Sequence, residues 1–381
     1  MPPRTLLLSA GEASGDMYAA RLACELKRRA DVEIFGMGGA EMRSAGVDVV
    51  TDYSEVAVVG ITEIISRLPS LLRAMRRLVS EARRRRPTLA ILTDFPGFHL
   101  RLARKLKPLG VRNVYYICPQ FWAWRPWRTR VIRRRFALAL CIFPFEEKFF
   151  GDAGVAVKFI GHPLVGQVQA KRTPKEFCAE HLLDPGKPIV TVLPGSRHAE
   201  LAQHLPILRA ACAGIHTTVP VQFVVAAAPG RAAELQNGWP SELAVRVVEG
   251  QTYDALAAAH ACIVSSGTAT VEAALLDAPM VVVYRVTPIT ALLAKPLVRT
   301  EYFSMVNLIA GRRIVPELIQ KDFTPERVSE EVLKLLRDAG AREAMRAGLA
   351  EVRSRLGPPG AAERAADAIA GLLQADSGNA S

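Results

Sequence analysis

Short apolar runs recur along this chain, each broken by a turn of small residues and followed by a helical stripe. Residues 5–10 predict a first buried strand and Gly11-Glu12-Ala13-Ser14-Gly15-Asp16 a turn; a helix over 17–29 then sets Leu22, Ala23 and Leu26 on one face. Strands are expected over 32–37, 47–50, 89–94, 114–118, 137–143 and 157–160, the last closed by Gly161-His162-Pro163. Residues 164–187 are polar and irregular, which places a domain boundary there. A second series begins with a strand over 189–193 and continues over 221–228, 245–248, 261–264 and 279–286, the last completing its sheet. Residues 307–313 read as a polar loop and 325–372 as mostly helical. Strand alternating with helix predicts an α/β chain with parallel sheets and right-handed crossovers. The expected limits are 1–165 for a first domain, 166–340 for a second, and 341–375 for C-terminal helices that cross back between them.

Candidate chemistry sits where strands run into turns, because ligands of open parallel sheets bind beyond the strands' carboxyl ends. Cys262-Ile263-Val264 stops at Ser265-Ser266-Gly267-Thr268, and a helical pattern follows. Strand, small-residue turn and helix expose N–H groups at a helix N-terminus, which favours an anion such as a diphosphate. Glu272, one turn into that helix, is placed to reach sugar hydroxyls. The alternative is that Ser266 or Thr268 is only an N-cap. Pro194-Gly195-Ser196-Arg197, with Glu200 behind it, repeats the arrangement and adds a cation able to pair a phosphate. In the first half, Gly11 and Gly15 suit close approach of a neutral ligand, with Glu12 and Asp16 accepting its hydroxyls, unless Ser14 or Asp16 merely caps the helix. Asp94 ends its strand where a general base would stand, or else caps the next helix.

Composition narrows the classes. The 381 residues allow about two domains, and half of them are apolar. No apolar run approaches the roughly 18 residues of a membrane span, and the start has no signal-peptide core. Six cysteines and seven histidines lack paired spacing, so neither a disulfide framework nor a metal site is expected, and the compartment reads as cytoplasmic. The net charge of +12 is uneven: residues 67–86 hold eight arginines against Glu81 alone, and 125–135 hold six arginines and no acid. Such runs point to an anionic partner or to a solvated face. Over 61–79 an apolar face carrying Ile64, Leu68, Leu71 and Leu72 alternates with arginines, as in a helix lying on an anionic membrane, or in an ordinary helix packed on a sheet. Trp122 and Trp124 lie among arginines in the 119–128 segment, which suits a membrane interface, a pocket wall or a nucleic-acid reader.

Two successive units with ligand-type turns imply two Rossmann-like domains facing a cleft, the GT-B architecture. The missing GxGxxG argues against a dehydrogenase. In order along the chain, Ser9-Ala10-Gly11-Glu12-Ala13-Ser14-Gly15-Asp16, Gly36-Met37-Gly38-Gly39, Trp122-Ala123-Trp124-Arg125, Phe143-Pro144-Phe145-Glu146, Gly161-His162-Pro163-Leu164, Pro194-Gly195-Ser196-Arg197 with Glu200, Ser266-Gly267-Thr268-Ala269-Thr270 with Glu272, and Asn307-Leu308 with Pro316-Glu317 resemble the lipid-A-disaccharide synthase family. The resemblance implies an inverting transfer of 2,3-diacylglucosamine from its UDP derivative to 2,3-diacylglucosamine 1-phosphate, giving a β-1,6 disaccharide, with no cofactor. It implies Asp94 as base with Glu12 as rival, and Gly11, Ser14, Gly15 and Asp16 at the acceptor. Ser196, Arg197, Glu200, Ser266, Gly267, Thr268, Glu272, Asn307, Glu317 and Gln320 would face the donor. Both substrates carry acyl chains, so Ile64, Leu68, Leu71, Leu72, Trp122 and Trp124 become a docking face for the anionic cytoplasmic surface of the inner membrane. A homodimer is left open, and nucleic acid is not an expected partner. After Asp94 this chain reads Phe95-Pro96-Gly97-Phe98-His99, where the family commonly has an acid and an amide in place of Gly97 and His99. The rivals are another UDP-sugar enzyme of the same architecture, such as an epimerase, and a basic nucleic-acid-binding protein.

Overall fold

A computed structural model describes residues 3–56, 68–124, 126–287 and 300–378, with backbone only for Trp124 and 375–378. The chain divides into two compact units, one reaching Pro163 and resuming at Leu356, the other running Leu164–Arg355.

The first unit is built on seven parallel strands: β1 (Arg4–Ala10), β2 (Val32–Gly38), β3 (Asp48–Asp52), β4 (Leu89–Thr93), β5 (Arg112–Tyr116), β6 (Leu138–Cys141) and β7 (Val157–Phe159). Their order is β3-β2-β1-β4-β5-β6-β7. β1 and β4 are mostly apolar, and Leu6–Ala10 and Leu89–Thr93 are buried on both faces, as strands covered by helices on either side must be. Gly36 lets β2 run against β1, since a Cβ there would stand 1.8 Å from the Leu8 carbonyl oxygen. The core includes Phe35, Leu78, Leu102, Tyr115, Phe121 and Phe150. The second unit has β8 (Ile189–Leu193), β9 (Gln222–Ala227), β10 (Val245–Glu249), β11 (Ala261–Ser265), β12 (Met280–Tyr284) and β13 (Glu317–Ile319), ordered β10-β9-β8-β11-β12-β13 and all parallel.

Both sheets therefore reverse direction at one place, between β1 and β4 in the first and between β8 and β11 in the second. At such a switch point the flanking connections leave on opposite faces and open a crevice at the strands' carboxyl ends. The turns after β1, β4, β8 and β11 are those that carry the sequence's candidate chemistry.

Four sequence expectations are corrected. β12 does not complete the second sheet; β13 pairs with it beyond. The presumed polar loop holds a helix, Met305–Ala310, started by the Ser304 hydroxyl accepting from the Asn307 amide. The irregular 164–187 stretch contains the Pro174–Glu180 helix, with Thr173 and Glu176 forming a capping box. The C-terminal segment expected over 341–375 is narrowed, since the chain rejoins the first unit only from Leu356. The Ala339–Arg355 helix belongs to the second unit, and the Ala361–Gly378 helix packs on Ala13–Arg29 of the first. There Arg364 Nε donates to the Ile160 carbonyl at 2.8 Å, and Arg29 Nε to Asp367 at 2.7 Å.

Candidate active site

At the first switch point two carboxyls meet. β1 ends at Ala10, and Gly11 leads to Glu12, the exposed N-cap of the Ala13–Arg29 helix, whose side chain makes no cap bond. β4 ends at Thr93, and the next two residues take left-handed backbone, Asp94 at φ 46° and Phe95 at φ 43°. Left-handed backbone costs about 1–3 kcal/mol per non-glycine residue and persists where the surroundings enforce it. Here the Asp94 carbonyl accepts from the Tyr115 hydroxyl and contacts His99 Nδ1, both at 2.8 Å. The Phe95 ring lies over Gly11, where a Cβ would stand 2.3 Å from it. Phe95, not Asp94, is the N-cap of the Pro96–Leu106 helix, which removes the capping explanation for Asp94. Its carboxyl is free to turn toward Glu12 and hydrogen-bonds to it. Burial, and next the charge of Glu12, push the Asp94 carboxyl up to about 7.

The other residues expected at the acceptor divide. Ser14 is exposed in the first turn of the Ala13–Arg29 helix, and Gly15 is buried. Asp16 points inward. It is 2% exposed and accepts from the amides of Gly39, Glu41 and Met42 at 2.6, 3.1 and 3.4 Å. The carboxylate fixes the Gly38–Gly39 turn and the start of the Ala40–Ser44 helix, so its expected place against an acceptor is corrected to a structural one.

The membrane-facing set divides too. The Leu68–Arg85 helix buries Ala74, Met75, Leu78 and Ala82, and Leu71 packs half-buried on the same core. Leu68 and Leu72 are 51% and 48% exposed, beside exposed Arg73, Arg76 and Arg77. Ile64 and the Trp124 side chain lie outside the described residues. Trp122 is half-buried, its Nε1 donating to Glu146 at 3.0 Å and its ring edge-on to Phe145. Glu146 has no exposed surface and also accepts from the amides of Ile142 and Phe143; burial, opposed by these donors, pushes its carboxyl up to about 7. Trp122 is thus an internal strut, while Trp127, in the same 119–128 segment, is 55% exposed.

At the second switch point the turn after β8 is bracketed by Glu200. Its carboxylate accepts from the amides of Ser196 and Arg197 at 3.2 and 3.3 Å and pairs with the Arg197 guanidinium at 2.9 Å. Glu200 shapes the turn, and Arg197 stands out from it with its side chain 72% exposed. Beneath lies His204, fully buried, whose Nδ1 meets the Pro194 carbonyl at 2.7 Å while Nε2 accepts from the Arg285 amide at 2.9 Å. Nε2 also lies 3.2 Å from the Arg285 carbonyl; a carbonyl only accepts, so Nδ1 carries a proton, and burial, which lowers the imidazole's pKa, favours the neutral ring with Nε2 accepting from the amide.

The turn after β11 is open. The Thr268–Leu275 helix has Gly267 as N-cap and no side-chain cap bond, so Thr268 does not cap it. No side chain caps its first amides, and uncapped amides at a helix start favour an anion; the Ser266 hydroxyl donates to the Phe303 carbonyl at 3.1 Å. Glu272 is raised by burial and takes a hydrogen bond from Tyr253. Asn307 has no exposed surface: its amide donates to Val315 O and Glu317, and its oxygen accepts from the Ile314 and Val315 amides. It cannot also hold a ligand, and its expected donor contact is corrected to a positioning role. Glu317 accepts from Asn307, from the Phe303 amide, and from the amide and hydroxyl of Ser304. The Gln320 amide pairs with the backbone of Val286, both contacts at 3.2 Å. Among the described residues no three His, Cys, Asp or Glu side chains are grouped to hold a metal ion.

His99, Tyr115, Glu146, His204 and Ser304 were not assigned roles from sequence. Each acts through a backbone group or a partner distant in sequence, which spacing does not reveal.

A family model described as lipid-A-disaccharide synthetase matches residues 6–365. A lipid-A-disaccharide synthase of Solibacter usitatus is 46% identical over 371 residues, 97% of this chain and 97% of its own. Another, from Myxococcus xanthus, is 44% identical over 376 residues, 98% of each. Among solved structures, a calicheamicin glycosyltransferase aligns with TM-score 0.60 at 19% identity, covering 98% of this chain and 99% of its own. The UDP-GlcNAc 2-epimerase from Neisseria meningitidis bound to UDP-GlcNAc aligns with TM-score 0.60 at 11% identity, covering 97% and 99%. At these identities the structural likeness carries the fold alone, the GT-B type with two Rossmann-like units.

Proposed function

The chain belongs to the lipid-A-disaccharide synthase family, and on that premise we propose which of its residues bind the substrates and move the proton. The enzyme is a hexosyltransferase of lipid A synthesis: it transfers 2,3-diacylglucosamine from its UDP derivative to 2,3-diacylglucosamine 1-phosphate and releases UDP. Inversion by one in-line displacement needs a base for the acceptor hydroxyl and stabilisation of the departing diphosphate.

Asp94 is the base. The observation that carries this role is its contact with Glu12 at the first switch point. A carboxyl at about 7 is ionised enough to accept a proton near neutral pH and basic enough to hold it. Glu12 raises that basicity and is not itself the base. Ser14, exposed in the first turn of its helix, lines the acceptor side, while Gly11 is buried beneath the Phe95 ring. The uncapped amides of the Thr268–Leu275 helix and the guanidinium of Arg197 receive the diphosphate, and Glu272 receives the ribose hydroxyls. Glu200, Asn307, Glu317 and Gln320 hold these groups in place. Glu272→Ala is expected to raise the donor KM roughly tenfold or more, as loss of a charged hydrogen bond does, with acceptor KM little changed. Steady-state kinetics varying each substrate measure this; a rise confined to the acceptor would remove Glu272 from the donor side.

Substrates with acyl chains must be taken from a membrane. No helix among the described residues is long and apolar enough to cross one. Leu68 and Leu72, flanked by Arg73, Arg76 and Arg77, form the described part of a face for the anionic cytoplasmic surface of the inner membrane. Replacing both leucines by serine removes roughly 1.5–3 kcal/mol of burial per side chain, so affinity for phosphatidylglycerol vesicles should fall at least tenfold. Leu71 is left intact because it supports the core. Unchanged co-sedimentation would remove this helix from the docking face.

A further inference from the structure

His99 has no exposed surface. Its two ring nitrogens join the ends of the two strands that flank the switch point. Nε2 lies 2.8 Å from the Ser9 hydroxyl in β1, and Nδ1 lies 2.8 Å from the carbonyl oxygen of Asp94, just past β4. A carbonyl cannot donate, so Nδ1 carries the hydrogen, and Nε2 is left to accept from the Ser9 hydroxyl. One neutral tautomer satisfies these two contacts, and the ring also meets the Thr93 backbone. Burial agrees, pushing the imidazole down to about 4.

The carbonyl that His99 holds belongs to the first of two successive left-handed residues. That peptide is where the backbone would relax if released, and its rotation would swing the Asp94 carboxyl. Tyr115 donates to the same carbonyl from β5 at 2.8 Å, and the Phe95 ring stacks on Phe98 and meets His99 edge-on at 5.9 Å. We propose that His99 is a positioning residue for the transfer: its ring, protonated on Nδ1, clamps the Asp94 carbonyl and so holds the left-handed turn that aims the Asp94 carboxyl. This deepens the reading of Asp94 as the base and rests on it.

Two substitutions separate the ring's two contacts. In His99→Asn the side-chain amide nitrogen falls near the place of Nδ1 and can still donate to the Asp94 carbonyl. In His99→Gln the terminal amide falls near Nε2, keeping the Ser9 link and losing the clamp. Misplacing a reacting group by about 1 Å costs up to roughly 10²-fold. His99→Gln should therefore lower kcat roughly 10- to 10²-fold with both KM values within about twofold, and His99→Asn should recover most of that loss. Thermal unfolding of both variants is measured alongside. Wild-type kcat in His99→Gln, or equal losses in the two variants that track equal losses in melting temperature, would overturn the proposal. Asp94→Asn is assayed in parallel. If it is inactive while His99→Gln turns over normally, only the His99 role fails; if Asp94→Asn is itself active, the assignment of the base fails and the His99 role with it.

Discussion

Asp94→Asn should lower kcat roughly 10²–10⁴-fold, the range for loss of a positioned general base. The amide keeps the size of the carboxyl and leaves the backbone carbonyl free for Tyr115 and His99, so the strained turn should survive and melting temperature should change little. Both KM values should stay close to wild type, because the proton moves only in the transition state. Glu12→Gln should behave differently. The neighbouring charge disfavours an ionised Asp94, so its removal lowers the Asp94 pKa while burial, the larger cause, still holds it up. Turnover at pH 8 should then fall modestly through weaker basicity, by a factor far below that of Asp94→Asn. If the two substitutions exchange these effects, Glu12 is the base.

Arg197→Ala should lower kcat/KM roughly 10²–10³-fold, as removal of a donor aimed at developing negative charge does. In the absence of substrate the guanidinium pairs with Glu200 three residues on, with its side chain largely exposed. Glu200 is itself largely buried but keeps the amides of Ser196 and Arg197 when the guanidinium turns away, and a charge-assisted, two-pronged bond to a departing diphosphate is strong. Exchanging Glu200 for phosphate therefore costs little. Arg197→Lys, which keeps the charge but not the planar fork, should recover only part of the loss. Kinetics with the UDP donor varied will show this, and UDP inhibition should weaken in parallel. An alanine variant within threefold of wild type on both measures would place the diphosphate elsewhere.

Much of this was legible in the sequence because parallel strands covered on both faces must be continuous apolar runs. Thr5–Ala10, Leu89–Thr93 and Cys262–Val264 announce themselves in that way, and the small-residue turns after them mark the switch points. Asp94 could be singled out because an acid directly after a buried strand has few structural reasons to be there. Its neighbour in the turn after β1 was harder. Glu12 and Asp16 look alike in sequence, yet one is exposed at the N-cap and the other is buried against three amides. Nothing local distinguishes them, because the amides come from the turn after β2. Asn307 misled in the same way, since a polar residue beside Arg312 and Arg313 suggests a loop until its four hydrogen bonds are seen. Thr173-Pro174-Lys175-Glu176 could have been read, as a capping threonine with proline at the first helical position and glutamate three residues on. Trp122 looked like an interface residue because an indole is amphipathic; its partner, Glu146, is 24 residues away.

The pH dependence of kcat/KM, measured for the wild-type enzyme and Glu12→Gln, tests the carboxyl pair most directly. A base must be ionised to act, so activity should fall tenfold per unit below the Asp94 pKa, with the wild-type limb near pH 7. In Glu12→Gln the limb should move to lower pH while a substantial part of the plateau remains. A limb that stays in place, or a Glu12→Gln variant inactive at every pH, would contradict Asp94 as a base tuned by Glu12.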